Sequence, residues 1–145
     1  QICSDTKAGP QTVTIGVADY SNSDAAGNPT VTTAVSTINL KAYPEVEITS
    51  VSGKLKKTAT KKAVGYASHN AIGAVVKVYY KKSGAKKYKY IGKTRVHTAK
   101  GYTTVGKWVF KSKKLGTGKM YVKISATKKL KGSKSPNLKL VKRSY

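Results

Sequence analysis

The sequence predicts an all-β protein, a two-sheet sandwich preceded by a β-hairpin. Three observations lead there. Apolar and polar residues alternate with period two along much of the chain, the 3.6-residue period of an amphipathic helix is hard to find, and clusters of Gly, Asn, Asp and Ser separate the alternating runs. Beyond residue 44 the runs recur at about the 8–12-residue spacing typical of all-β sandwiches.

Taken in order, residues 11–18 (QTVTIGVA) place Val13, Ile15 and Val17 on one face and Thr12, Thr14 and Gly16 on the other. The turn-rich stretch 19–29 (DYSNSDAAGNP) supplies residues suited to positive φ, and 30–40 reads as the returning strand of a hairpin. Tyr43-Pro44 marks an extended junction. Seven strands are then expected, at 46–52, 63–68, 74–81, 88–95, 106–112, 119–126 and 138–142. Alternation assigns Val76, Val78 and Tyr80 to the core, with Lys77, Tyr79 and Lys81 facing outward. In the same way Met120, Val122, Ile124 and Ala126 point inward, with Tyr121, Lys123 and Ser125 outward. Trp108 and Phe110 should anchor the space between the sheets, since an aromatic buries roughly 150–250 Å².

Charge is distributed just as unevenly. All five acids (Asp5, Asp19, Asp24, Glu45 and Glu47) lie in the first 47 residues, whereas residues 48–145 carry 27 of the 29 Lys and Arg and no acid at all. That 98-residue stretch cannot build a carboxylate dyad, a Ser-His-Asp triad or an acidic metal cage from its own side chains. It can hold a strong positive field and attract polyanions. Only two of the basic residues are Arg (Arg95 and Arg143), so bidentate base-edge readout is not expected, and diffuse, salt-sensitive attraction by lysine is. Interleaving of lysines with β-branched and aromatic residues argues against a disordered basic tail.

The remaining chemistry-bearing residues are sparse. Cys3, the one cysteine, has no internal partner, and His69 and His97 lack further metal ligands in the basic stretch. Asp19, Asn22, Asp24 and Asn28 offer oxygen ligands of a kind that suits Ca²⁺, but their spacing is not that of an EF-hand loop. No cofactor, no metal and no catalytic residue is expected, and no run of 18 apolar residues provides a membrane-spanning helix. The chain opens on Gln1 rather than Met, which we read as the mark of a longer precursor.

Val64-Gly65-Tyr66-Ala67 followed by Ala74-Val75-Val76-Lys77-Val78-Tyr79 resembles strands B and C of bacterial immunoglobulin-like (Big-type) repeat domains, in which a V-x-G-x-A … V-x-V rhythm recurs. Lys100-Gly101, then KWVF at 107–110 and LGTGKMYVKISA at 115–126, resembles their E and F strands. The resemblance covers residues 44–140, with one departure. The family's A-x-P-G-A before strand C is replaced by Ala67-Ser68-His69-Asn70-Ala71-Ile72-Gly73-Ala74. Residues 5–15, Asp24-Ala25-Ala26-Gly27-Asn28 and 31–40 resemble the last two strands of a further repeat.

The resemblance implies an immunoglobulin-like sandwich at 44–145, with residues 1–43 a hairpin remnant of a second repeat plus linker. The hairpin's edges would be open unless another strand covers them. It also implies a secreted, cell-wall-associated bacterial surface protein and no enzyme. In such a sandwich strands C, C′, F and G share a sheet, which would gather Lys77, Tyr79, Lys81, Lys89, Lys93, Tyr121, Lys123 and Lys139 into a polyanion-binding face, extended by loop lysines at 54–62, 111–114 and 128–134. The leading expectation is a non-catalytic anchoring module holding its parent protein on an anionic envelope polymer such as teichoic acid, next to upstream domains of the same chain. The alternatives are a subunit or fragment of a surface or virion assembly, completed by strand donation or self-association through open edges, and a nonspecific nucleic-acid binder.

Overall fold

Among the described residues, period-two alternation becomes eleven strands and a single 3₁₀ turn. The computed structural model describes residues 9–19, 25–28, 30–102 and 104–142. Cys3, Asn22 and Asp24, together with the side chain of Asp19, fall outside that description, and with them most of the oxygen cluster weighed for Ca²⁺.

β1 (Gly9–Asp19) and β2 (Thr30–Leu40) form an antiparallel hairpin in continuous register from Gly9↔Leu40 to Asp19↔Thr30. Among the described residues each strand pairs only with the other, and Ile15, Val17, Val31 and Val35 are 59–67% exposed. Past the hairpin, Ala42 is fully buried, bridges Leu130 and exchanges backbone hydrogen bonds with Lys129 and Lys131, which fastens the linker to the following domain.

The remaining strands make two antiparallel sheets. One runs β3 (Ser50–Ser52), β4 (Lys61–Ser68), β8 (Val105–Ser112), β7 (His97–Thr98). The other runs β10 (Ser133–Lys134), β9 (Gly118–Ile124), β5 (Val75–Lys82), β6 (Lys89–Arg95), with β11 (Leu138–Leu140) also on β9. Their inner faces meet in one core in which Ala63, Ala67, Trp108 and Phe110 pack with Val76, Val78, Tyr80, Met120, Val122 and Ile124. All the core residues expected from alternation are buried except Ala126, which is exposed because β9 ends at Ile124.

Gly65 explains the glycine of the V-G-Y-A run. It lies directly across from Trp108, and a β-carbon there would collide with the Glu47 carbonyl oxygen and the indole ring. The indole Nε1–H donates to that same carbonyl at 3.1 Å, so the largest core side chain is also hydrogen-bonded. The expected first strand at 46–52 follows β4 over its length, with Glu47 N–H donating to the Tyr66 carbonyl and Thr49 N–H to that of Val64, although regular strand begins only at Ser50.

Candidate functional site: a lysine and tyrosine face

The outer face of the β6–β5–β9 sheet carries the predicted residues. Inward Val76, Val78 and Tyr80 force Lys77, Tyr79 and Lys81 outward, and inward Met120, Val122 and Ile124 do the same for Lys119, Tyr121 and Lys123. Strand register then sorts these side chains into rows. Lys93 sits opposite Lys77, Lys77 opposite Lys123, and Lys123 opposite Lys134 of β10. A second row joins Lys81, Lys119 and Lys139. Between the two runs a row of tyrosines, Tyr90, Tyr79 and Tyr121. Neighbouring lysines in a row are separated by about one strand spacing, near 4.8 Å at the backbone, and the two lysine rows by roughly 13 Å along the strands.

Seven of the eight predicted residues therefore share this face. Lys89 does not. The β5–β6 register shifts between Val78 and Tyr79, leaving Ile91 as the extra residue of a bulge, so Tyr90 takes the place opposite Tyr79 and Lys89 falls opposite inward-facing Tyr80. Gly92, next to the bulge, has φ of 153°, and the Phe110 ring occupies the space a β-carbon would need. A lone Gly inside a strand pattern is the signal that could have located this bulge.

The sequence reading left out Lys119, Tyr88 and Tyr90, and it counted Lys134 among the loop lysines rather than on this face. Lys119 has the same parity as Tyr121 and was legible. Lys134 was not, because β10 is too short to show alternation. It forms because buried Ser135 ties the chain to β9: Ser135 Oγ accepts from Val122 N–H at 3.0 Å, and Ser135 N–H donates to the Val122 carbonyl at 2.9 Å.

The tyrosines are arranged against one another. Tyr79 and Tyr121 stack with centroids 5.0 Å apart and planes 11° from parallel. That separation matches the strand spacing, so the rings stand upright and present edges and hydroxyls to solvent. Tyr90 meets Tyr79 edge-on at 5.8 Å, Tyr88 meets Tyr121 edge-on at 4.8 Å, and the Lys134 ammonium lies 4.1 Å from the Tyr121 ring centroid. Lys81 covers Tyr88 in the same way at 5.1 Å. Burial raises the Tyr121 phenol above its ordinary pKa, and the neighbouring Tyr79 and Tyr88 push the same way. The face thus offers ammonium and phenol donors in an acid-free stretch of sequence, with its stacked aromatic faces turned on each other rather than toward a ligand.

Among loop lysines expected to extend the field, Lys61 is an exception. It opens β4 on the inner face and is 0% exposed. Its ammonium donates to the carbonyls of Lys56 at 2.9 Å and Lys113 at 2.8 Å. The two histidines lie in different elements, His69 in the 3₁₀ turn His69–Ala71 after β4 and His97 in β7, and no group of three His, Cys, Asp or Glu is placed to hold a metal among the described residues. No helix is long and apolar enough to cross a membrane among the described residues. Comparison with protein-family models, with curated proteins and with solved structures finds no match for the chain.

Proposed function

We propose that the chain is a non-catalytic anchoring module of a secreted bacterial surface protein, holding it electrostatically on an anionic envelope polymer such as teichoic acid. The observation that carries this reading is the pair of lysine rows, seven ammonium groups on one sheet face with no carboxylate in the whole stretch 48–145. Like charges directly opposite each other cost stability, and a polyanion lying along a row relieves that repulsion. An immunoglobulin-like identity for the sandwich belongs to the same proposal. It is supported by sheet order, with β3, β4, β8 and β7 corresponding to strands A, B, E and D, and β6, β5, β9 and β11 to C′, C, F and G. The upright tyrosines weigh against a single-stranded nucleic-acid ligand, whose binders lay bases on open aromatic faces.

The test is equilibrium binding to poly(glycerol phosphate) over a salt series. By analogy with single strands, where the slope is about −0.7 per neutralised phosphate, engagement of most of the seven lysines predicts a log–log slope of about −3 to −5. The triple variant Lys77→Glu/Lys119→Glu/Lys123→Glu should flatten the slope and weaken binding. An unchanged slope in that variant refutes the site.

A second reading has its own observation. Among the described residues the β1–β2 hairpin has both edges unpaired and apolar residues exposed on both faces, and a lone two-stranded ribbon is marginally stable. This favours completion by strand addition in an assembly. Sedimentation showing reversible, concentration-dependent association, lost on a proline substitution at Val35, supports it. A monomer at all concentrations removes it.

A further inference from the structure

A second site of different chemistry lies at one end of the sandwich. The alternation of β5 continues past Tyr80 to Lys82, and that of β4 begins at Lys61, so both lysines fall on the inner-face parity just beyond the aromatic core. Here the loop after β3, the β5–β6 turn and the β8–β9 loop enclose a cleft of about 600 Å³. Half-buried Leu55, backed by buried Leu115 and Tyr80, forms its apolar wall, and the exposed lysines Lys57, Lys82, Lys113 and Lys114 line the rest. Its size falls in the range of small-molecule sites, and its lining sets a small apolar wall against four lysines.

Two features make this a formed cleft rather than a gap between loops. The buried Lys61 ammonium binds the backbone of both walls through the Lys56 and Lys113 carbonyls. It locks the geometry and adds a positive charge behind the walls that no carboxylate of the stretch 48–145 can neutralise. On the other side the Tyr80 hydroxyl donates to the Thr117 carbonyl at 2.8 Å, fixing the β8–β9 loop, and Gly116 leaves open the space beside it, where a β-carbon would lie 3.2 Å from that hydroxyl.

We propose that this cleft binds an amphipathic organic anion, a short alkyl or aryl body carrying a sulfate, phosphate or carboxylate. The body inserts against Leu55, Leu115 and the Tyr80 ring while the anionic head stays among Lys57, Lys82 and Lys114. The inference does not rest on the polymer-binding face and survives its failure.

The test is an amide NMR titration of the full chain with octyl sulfate, sodium sulfate and octyl glucoside in parallel. Octyl sulfate is expected to bind saturably, with shifts centred on Leu55, Leu115 and Gly116. Burial of three or four methylenes should make it about a hundredfold tighter than inorganic sulfate. Lys82→Glu/Lys114→Glu should weaken octyl sulfate by about tenfold or more, through loss of charge complementarity at the mouth. Lys77→Glu/Lys123→Glu, on the distant face, should change it by no more than about twofold, since solvent screens that separation. The proposal is overturned if octyl sulfate shows no saturable shift, or if it binds no tighter than inorganic sulfate. Equal weakening by the two double variants also overturns it, because that is the signature of a general field.

Discussion

Replacing Lys77 by Glu should make the protein more stable while impairing the function proposed for it. Lys77 stands between Lys93 and Lys123 in the longer lysine row. Cross-strand β-carbons are about 5 Å apart, and mobile ammonium groups on them separate to roughly 6–7 Å, where two unit charges in water repel by about 0.6 kcal/mol. Lys77→Glu turns two such repulsions into attractions, a swing of about 2.5 kcal/mol before screening and about 1 kcal/mol in 0.1 M salt with side-chain freedom counted. Urea unfolding followed by the fluorescence of Trp108, the one tryptophan, reads this directly. For m near 1 kcal/mol/M the midpoint should rise by about 1 M in low salt and by only a small fraction of that in 1 M salt. Lys77→Gln, which removes the repulsion without adding attraction, should give about half the gain. A destabilised Lys77→Glu, or a gain that ignores salt, would refute the idea that the rows interact electrostatically.

Three further outcomes follow from particular contacts. Gly65→Ala should destabilise by about 2–3 kcal/mol, because its methyl overlaps the Trp108 ring and the Glu47 carbonyl, and the emission of Trp108 should move to the red. Lys61→Met should cost about 2 kcal/mol by removing the ammonium donor from the Lys113 carbonyl and leaving the Lys56 carbonyl only the Ala59 N–H, and hydrogen exchange in the loop after β3 should quicken. Burial and the adjacent phenols raise the Tyr121 pKa, so the fold favours the neutral phenol. That contribution is fully present below the unfolded-state value of 10.0 and is lost as pH rises through the higher folded value. Burial raises the Tyr80 phenol as well, so absorbance titration at alkaline pH should show two late tyrosines, of which Tyr121→Phe deletes one, and an ordinary titration for Tyr121 would contradict the stack.

Much of the architecture was readable because burial on one side of a sheet imposes a strict two-residue code. VVKVYYKK and GKMYVKI each specify which residues enter the core, and the opposite parity specifies the lysine and tyrosine face with no further information. Three things escaped that code. The bulge at Ile91 reverses parity in the middle of a run, which moves Lys89 away and brings Tyr90 in. β10 is held by a serine side chain and a neighbouring strand rather than by its own pattern, so Lys134 looked like loop charge. Lys61 also looked like loop charge, since its inward parity with Ala63 is outweighed by the usual exposure of lysine. Its burial depends on carbonyls contributed by residues 5 and 52 positions away. Ring orientation was equally out of reach, because stacking between Tyr79 and Tyr121 depends on register between strands far apart in sequence.

We propose above that the lysine rows attach the protein to an anionic wall polymer. The most direct test is co-sedimentation with Gram-positive cell walls, before and after chemical removal of teichoic acid, across a salt series. The account predicts strong binding that falls steeply with salt, disappears on stripping and is weakened by Lys77→Glu/Lys119→Glu/Lys123→Glu. Binding that persists on stripped walls, or that salt does not weaken, would contradict it.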